Sequence, residues 1–181
     1  MSEIQVASRY ANSLLDLAKE RNSLEAIKSD LDSFLAVLRG TPELRAVLKN
    51  PIISPDKKFS IIKEVFGPSV QEIVISFFKI VISKGRAEVL YETAKQFVNG
   101  YNQINGIIKA SVVSAVQLTE ENKTEVRRVV EQATQKKVML ETRVEPDLIG
   151  GFVLTVGDKQ FDASLSSSLS KLKKEFTQKV V

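Results

Sequence analysis

The chain of 181 residues contains no cysteine and no histidine. The first absence excludes disulfides and thiolate nucleophiles. The second removes the imidazole base, and together they remove the usual zinc and copper ligands. Acid–base chemistry would have to rest on carboxylates, lysines or tyrosines, and a magnesium site would need clustered carboxylates or a phosphate loop. Neither pattern occurs: Gly150-Gly151 precedes a strand-like run and has no Gly-Lys-Ser/Thr after it. Long apolar runs are also missing. Lys79 interrupts the best candidate, Ile73 to Ile82, so nothing reaches the roughly 18 uncharged apolar residues of a membrane span. The start, Met1-Ser2-Glu3-Ile4, has neither the basic opening of a secretory signal nor the arginine-rich character of a transit peptide, which points to a cytosolic chain. Charge of one sign is not concentrated either. The net +4 divides into 14 basic against 12 acidic residues up to Ile104 and 12 against 10 beyond it, unlike the footprint of a nucleic-acid binder. The nearest thing to a basic patch, Lys171, Lys173, Lys174 and Lys179, reads as a solvated face that suits a helix C-terminus.

What is present up to about Ile104 is helix punctuation in step with apolar periodicity, predicting six helices. Ser2-Glu3-Ile4-Gln5 and Ser69-Val70-Gln71-Glu72 fit the capping box. Thr41-Pro42-Glu43 and Ser54-Pro55-Asp56 each place a cap, a proline and an acid in the order a helix start favours. Gly40, Gly67, Gly85 and Gly106 fall where left-handed residues would end helices. The second helix carries one stripe, Leu24, Ile27, Leu31, Phe34, Leu35 and Leu38. The fifth differs: Val70, Ile73, Val74, Ile75, Phe77, Phe78, Ile80, Val81 and Ile82 leave few polar positions. Such a helix either sits centrally in the bundle or faces the core on one side and floors a partner groove on another. In the first helix Ala7, Ala11 and Ala18 form a small-residue line beside Tyr10, Leu14 and Leu17, which suits close helix packing.

The period changes from 3.6 to 2 near Asn105-Gly106, a pair with turn chemistry. Ile108, Ala110, Val112, Ser114 and Val116 alternate with their neighbours, as do Val138, Leu140 and Val144. Between them Thr119 caps a helix with Glu120 and Glu121 in its first turn and Val126, Val129, Val130 and Ala133 as its stripe. Phe152 to Val156 reads as a further strand. Asp162 then introduces a last helix with a narrow seam of Leu165, Leu169, Leu172 and Phe176. One seam can bury against its own sheet, or join another long helix in an assembly. The predicted class is α+β: a six-helix bundle over residues 1–105, then a small β-α-β-β-α domain over residues 106–181.

Pro146-Asp147-Leu148-Ile149-Gly150-Gly151-Phe152, the turn Gly157-Asp158 and Asp162-Ala163-Ser164 follow one another closely. Physically this is a strand, a tight hairpin and a capped helix, with Asp162 able to accept from the helix's orphan amides. The order of residues resembles the terminal signature of the F-type ATP synthase delta subunit, the oligomycin sensitivity-conferring protein family. Ala7-Ser8-Arg9-Tyr10-Ala11 with Leu14, Asn50-Pro51 and Lys84-Gly85-Arg86 are similar to weaker landmarks of that family's helical domain. Two positions depart: Ala163 stands where the family usually has glycine, and Arg9 where proline is common.

The resemblance implies a non-catalytic peripheral-stalk subunit, without cofactor, metal, nucleic-acid partner or homo-oligomer. Such subunits sit at the top of the catalytic head and hold it static while the shaft turns. The resemblance implies that a groove between the first and fifth helices receives the N-terminal helix of an alpha subunit. Its residues would be Ala7, Tyr10, Ala11, Ser13 and Leu14 on one wall and Ile73, Ser76, Phe77 and Ile80 on the other. The b subunits would meet Leu165, Leu169, Leu172 and Phe176, with Gly150, Gly151, Gly157, Asp158 and Asp162 as structural signature. The implied location is peripheral, on the cytoplasmic face of a bacterial inner membrane or its organellar equivalent. The runner-up is an RNA- or ribosome-associated α+β protein, supported only by the basic last helix and the high pI; an enzyme with converging carboxylates stands third.

Overall fold

The structure is a computed structural model that describes residues 3–178, leaving out the side chains of Lys171 and of residues 174–178. The capping box at Ser2 and the Lys171, Lys174 and Lys179 contributions to the basic patch therefore lie outside the described residues. The chain divides into two compact units, Met1–Ile104 and Asn105–Val181.

The first unit is helical: α1 (Glu3–Glu20), α2 (Leu24–Gly40), α3 (Pro42–Lys49), α4 (Pro55–Phe66), α5 (Glu72–Ser83) and α6 (Leu90–Ile104), with a 3-10 turn at Ala87–Val89. Its core centres on Phe34 of α2, whose ring lies 4.6 Å from Phe78 of α5 and 5.0 Å from Phe66 of α4. Of the predicted α2 stripe, all but half-buried Leu24 are buried. Lys58 is also buried; its Nζ donates to the Leu48 carbonyl at 2.9 Å and ties α4 to the last turn of α3, where a cation suits the helix dipole.

Several local signals act differently from their predicted roles. No capping box forms at Ser69: that residue closes the turn after α4, and α5 starts at Glu72 with the Gln71 amide donating instead to Asp30 Oδ2 of α2 at 2.9 Å. Thr41 and Ser54 do occupy the positions before α3 and α4, but their side chains make no capping hydrogen bond; Pro42 and Pro55, with Glu43 and Asp56 in the first turns, mark the starts. Gly85 and Gly106 are left-handed, whereas Gly67 is right-handed and Gly40 is the last residue of α2.

The second unit contains β1 (Ile107–Ser114), α7 (Glu120–Thr134), β2 (Lys137–Val144), a 3-10 turn at Pro146–Leu148, β3 (Phe152–Val156), β4 (Lys159–Asp162) and α8 (Leu165–Gln178). The sheet order is β2-β1-β3-β4. β1 pairs with β2 in parallel across the α7 crossover, while β3 runs antiparallel to both β1 and β4. The β-α-β-β-α expectation thus lacked one strand. Lys159–Asp162 is a four-residue edge strand, exposed throughout and with Phe161 as its one apolar side chain, so it carries no alternation to read. β3 and β4 meet through the two-residue loop Gly157-Asp158, in which Gly157 supplies the positive φ of 57°.

Thr119 caps α7 as expected, its Oγ1 accepting from the Asn122 amide at 3.3 Å. The α7 stripe is narrower than predicted: Val130 is buried against Ala110, Val138 and Val156, with Val126 half-buried beside them, while Val129 and Ala133 are exposed. Val116 and Val144 are likewise exposed: β1 ends at Ser114, before Val116, and Val144 is the last residue of β2.

Candidate functional site

α5 is apolar nearly all round because it has two jobs. One side, Val74, Phe78, Val81 and Ile82, is buried in the bundle. The other side, Ile73, Ser76, Phe77 and Ile80, forms one wall of a surface groove of about 400 Å³ that also includes Glu72, with Leu17 of α1 and Arg21, just past the end of that helix, opposite. Positions 73, 76, 77 and 80 recur at helical spacing, so they share one face. Ile73 and Phe77 are half-buried and Ile80 is 57% exposed, an unusual amount of apolar side chain to leave in water on one strip.

Tyr10, earlier on α1, touches the groove wall through Phe77. Its ring meets Phe77 edge-on at 6.2 Å, with planes 78° apart, the favoured arrangement for two aromatic quadrupoles. Arg86, just beyond α5, donates from Nη1 to the Tyr10 hydroxyl at 3.3 Å, and its guanidinium carbon lies 5.9 Å from the ring centroid. The Arg86 amide donates to the Val81 carbonyl at 3.1 Å, and Gly85 takes the left-handed conformation before it, so helix termination sets where Arg86 stands.

The predicted groove residues therefore separate into two groups. Ile73, Ser76, Phe77 and Ile80 line it, and Tyr10 adjoins it through its ring contact with Phe77. Ala7, Ala11 and Leu14 do not: each is no more than 1% exposed, inside the bundle. The alanine line serves close packing of α1, whose most extensive partner is α6; there Gly100 leaves room for a Leu15 methyl that a Cβ would strike. Ser13 is exposed, with its hydroxyl turned back to the Arg9 carbonyl at 3.0 Å. Leu17, Arg21, Glu72 and Arg86 were missing from the expected set. Leu17 stands two helical turns after Tyr10 on the same stripe and Arg21 one turn further, a periodicity that could have found both.

The second candidate region surrounds the glycine pair. Gly151 has φ +77°, and a Cβ there would overlap the Ala163 carbonyl oxygen. A Cβ on Gly150 would fall 2.6 Å from Leu165 Cδ1. The Leu165 amide donates to the Gly150 carbonyl at 2.9 Å, so the start of α8 lies directly on the glycines. Asp162 braces the same junction, Oδ1 accepting from the Ser164 amide at 2.9 Å and Oδ2 from the Ser167 hydroxyl. The cap itself is the buried Ser164, whose Oγ accepts from the Ser167 amide at 3.2 Å. Gly150, Gly151 and Asp162 thus form one latch, while Gly157 and Asp158 form the hairpin loop.

Beyond that latch α8 leaves the sheet. Leu165, Leu169 and Leu172 are each about half exposed (53%, 55% and 49%), so burial of the seam on its own sheet does not occur. The fourth seam residue, Phe176, has its side chain outside the described residues. No group of three or more metal-ligating side chains occurs among the described residues.

A profile described as "ATP synthase delta (OSCP) subunit" matches residues 6–176. The ATP synthase subunit delta of Cytophaga hutchinsonii is 33% identical over 181 residues, spanning 100% of this chain and 99% of its own. That of Chlorobaculum tepidum is 36% identical over 173 residues, with 96% of each chain covered. In fold, a chain of the Toxoplasma gondii mitochondrial ATP synthase hexamer superposes with a TM-score of 0.75 at 19% identity, covering 94% of this chain and 97% of that one. The RNA- or ribosome-associated alternative finds no support among these matches. With a match over nearly its whole length, the chain belongs to the ATP synthase delta (OSCP) subunit family, whose members are structural stalk subunits and not catalytic ones.

Proposed function

We propose that this subunit joins the catalytic head of an F-type ATP synthase to its peripheral stalk through two surfaces, one on each unit. The groove between α1 and α5 takes the N-terminal helix of an alpha subunit, and the seam of α8 takes the b subunits. The complex places the chain peripherally on the cytoplasmic face of a bacterial inner membrane or the equivalent organellar face. Among the described residues no helix is long and apolar enough to cross a membrane, so membrane association runs through partners.

The observation that carries the reading is the strip Ile73, Phe77 and Ile80 facing Leu17. It is apolar surface left over after α1 and α5 have each buried another face in the bundle. An amphipathic helix with apolar residues at i, i+3 and i+4 would cover it, the apolar contacts supplying affinity and the groove ends supplying register. A stator contact of this kind must resist torque, which favours a long strip gripped along its length over a single polar contact.

Calorimetric titration of the full chain with a synthetic peptide of the cognate alpha subunit's N-terminal helix tests this. Expected are a negative heat-capacity change and an affinity that varies only a few-fold with salt. Phe77→Asp and Ile80→Asp should each weaken binding by about 2 kcal/mol or more. Because Ile80 is exposed, I80D should keep the helical circular dichroism of the parent; unchanged affinity in that folded variant would remove α5 from the site.

A further inference from the structure

The groove has unlike ends. At one, Arg21 and Glu72 bring charges of opposite sign, leaving no net preference. Past the opposite end of α5 from Glu72 stands Arg86, tied to the groove wall through Tyr10 and Phe77, and among the described residues no carboxylate lies within ion-pair distance of it. Among the described residues its one side-chain hydrogen bond goes to the Tyr10 oxygen, and four of the five guanidinium N–H donors stay available there. Since that oxygen is the acceptor, the Tyr10 O–H proton is available as well. Arg86 is held by its backbone at the end of α5 and by the Tyr10 ring, and Tyr10 in turn touches Phe77 on the groove wall. A guanidinium and a phenol side by side, both fixed, are the donor set that a carboxylate accepts from.

We infer that Arg86 and Tyr10 form a carboxylate-binding notch at one end of the groove. The docked helix carries an acidic side chain at that end of its apolar stripe, and the pair sets its register. This rests on the helix-docking reading above and adds what that reading lacks. An apolar strip alone tolerates a guest slipped by one turn, about 5.4 Å, or reversed end for end. A cation at one end disfavours both, because the guest's carboxylate would then lose its partner. The notch is a specificity device more than a source of affinity, since its charges stay close to water.

The test uses the full chain and two peptides: the alpha N-terminal helix, and the same peptide with each Asp and Glu replaced by Asn and Gln. At low salt the wild type should bind the acidic peptide about three- to tenfold more tightly than its amide counterpart. Arg86→Gln should lose that preference and bind the amide peptide as the wild type does, while Arg86→Lys restores part of it. Tyr10→Phe, which keeps the ring against Phe77, should reduce the preference by a smaller factor. Equal binding of both peptides by wild type and R86Q, with the apolar docking intact, overturns the notch alone. Binding of neither peptide by the wild type overturns the docking reading and the notch with it.

Discussion

Ile149 has φ 64° and ψ −39°, a conformation that a β-branched residue rarely adopts. The Gly150 amide reaches back to the Leu148 carbonyl at 2.6 Å around it, making a γ-turn of the rarer, positive-φ kind. Such strain costs about 1–3 kcal/mol, and Ile149 is 67% exposed, so little burial offsets it. Ile149→Gly is therefore expected to stabilise the Asn105–Val181 unit by about 1 kcal/mol, read as slower amide exchange in β1 and β3. Gly151→Ala should do the opposite, by about 2 kcal/mol or more, because its Cβ meets backbone and not a side chain that could move. The glycine pair was legible as a bend. The strain beside it was not, because nothing in Leu148-Ile149 marks a positive φ, and only the tight return from Pro146 to the α8 latch imposes the turn. Similarly, Ala7, Ala11 and Leu14 share a helix with Tyr10, but periodicity alone could not say which stripe α6 would cover.

At the scale of elements, α5 and α8 each carry an apolar face that the rest of the fold leaves incompletely covered. The α5 excess of apolar residues was visible at once, and its division into a core face and a groove face follows from where the neighbouring helices lie. For α8 the seam was legible but its fate was not: the latch at Gly150, Gly151 and Asp162 directs the helix off the sheet, a consequence of contacts made by residues distant in sequence. Because the seam is already in water, Leu169→Asp combined with Leu172→Asp is expected to leave the melting temperature within about 2 °C of the parent while abolishing capture of a b-subunit fragment. A substantial loss of stability would mean that the seam is packed in solution and unavailable to a partner. The edge strand β4 and the absent capping box at Ser69 share one cause, namely that tertiary partners such as β3 and Asp30 override weak local signals.

For the whole molecule, composition already excluded most chemistry, and the change of period near Asn105 was the clearest mark of its two-part organisation. The absence of histidine also shapes pH behaviour, because no side chain at its ordinary value titrates between about pH 5 and 8. On α7 the carboxyls of Glu120 and Glu125 are held below their usual value, chiefly by hydrogen bonds from Lys123 and Arg128. A folded-state value lowered in this way contributes stability that is present above the ordinary carboxylate range and is lost as pH falls through the folded value. Urea midpoints should thus be flat from about pH 8 to 6 and decline only below about pH 4. A step near neutrality would contradict that.

In the proposed role one chain holds two partners at once through separate surfaces. Sedimentation velocity of the full chain mixed with the alpha-subunit N-terminal peptide, labelled, and a soluble b-subunit fragment tests it most directly. A single boundary carrying the label together with the b fragment is expected, with I80D losing only the label and the Leu169/Leu172 double variant losing only the fragment. Mutual exclusion of peptide and fragment, or loss of both in either variant, would contradict it.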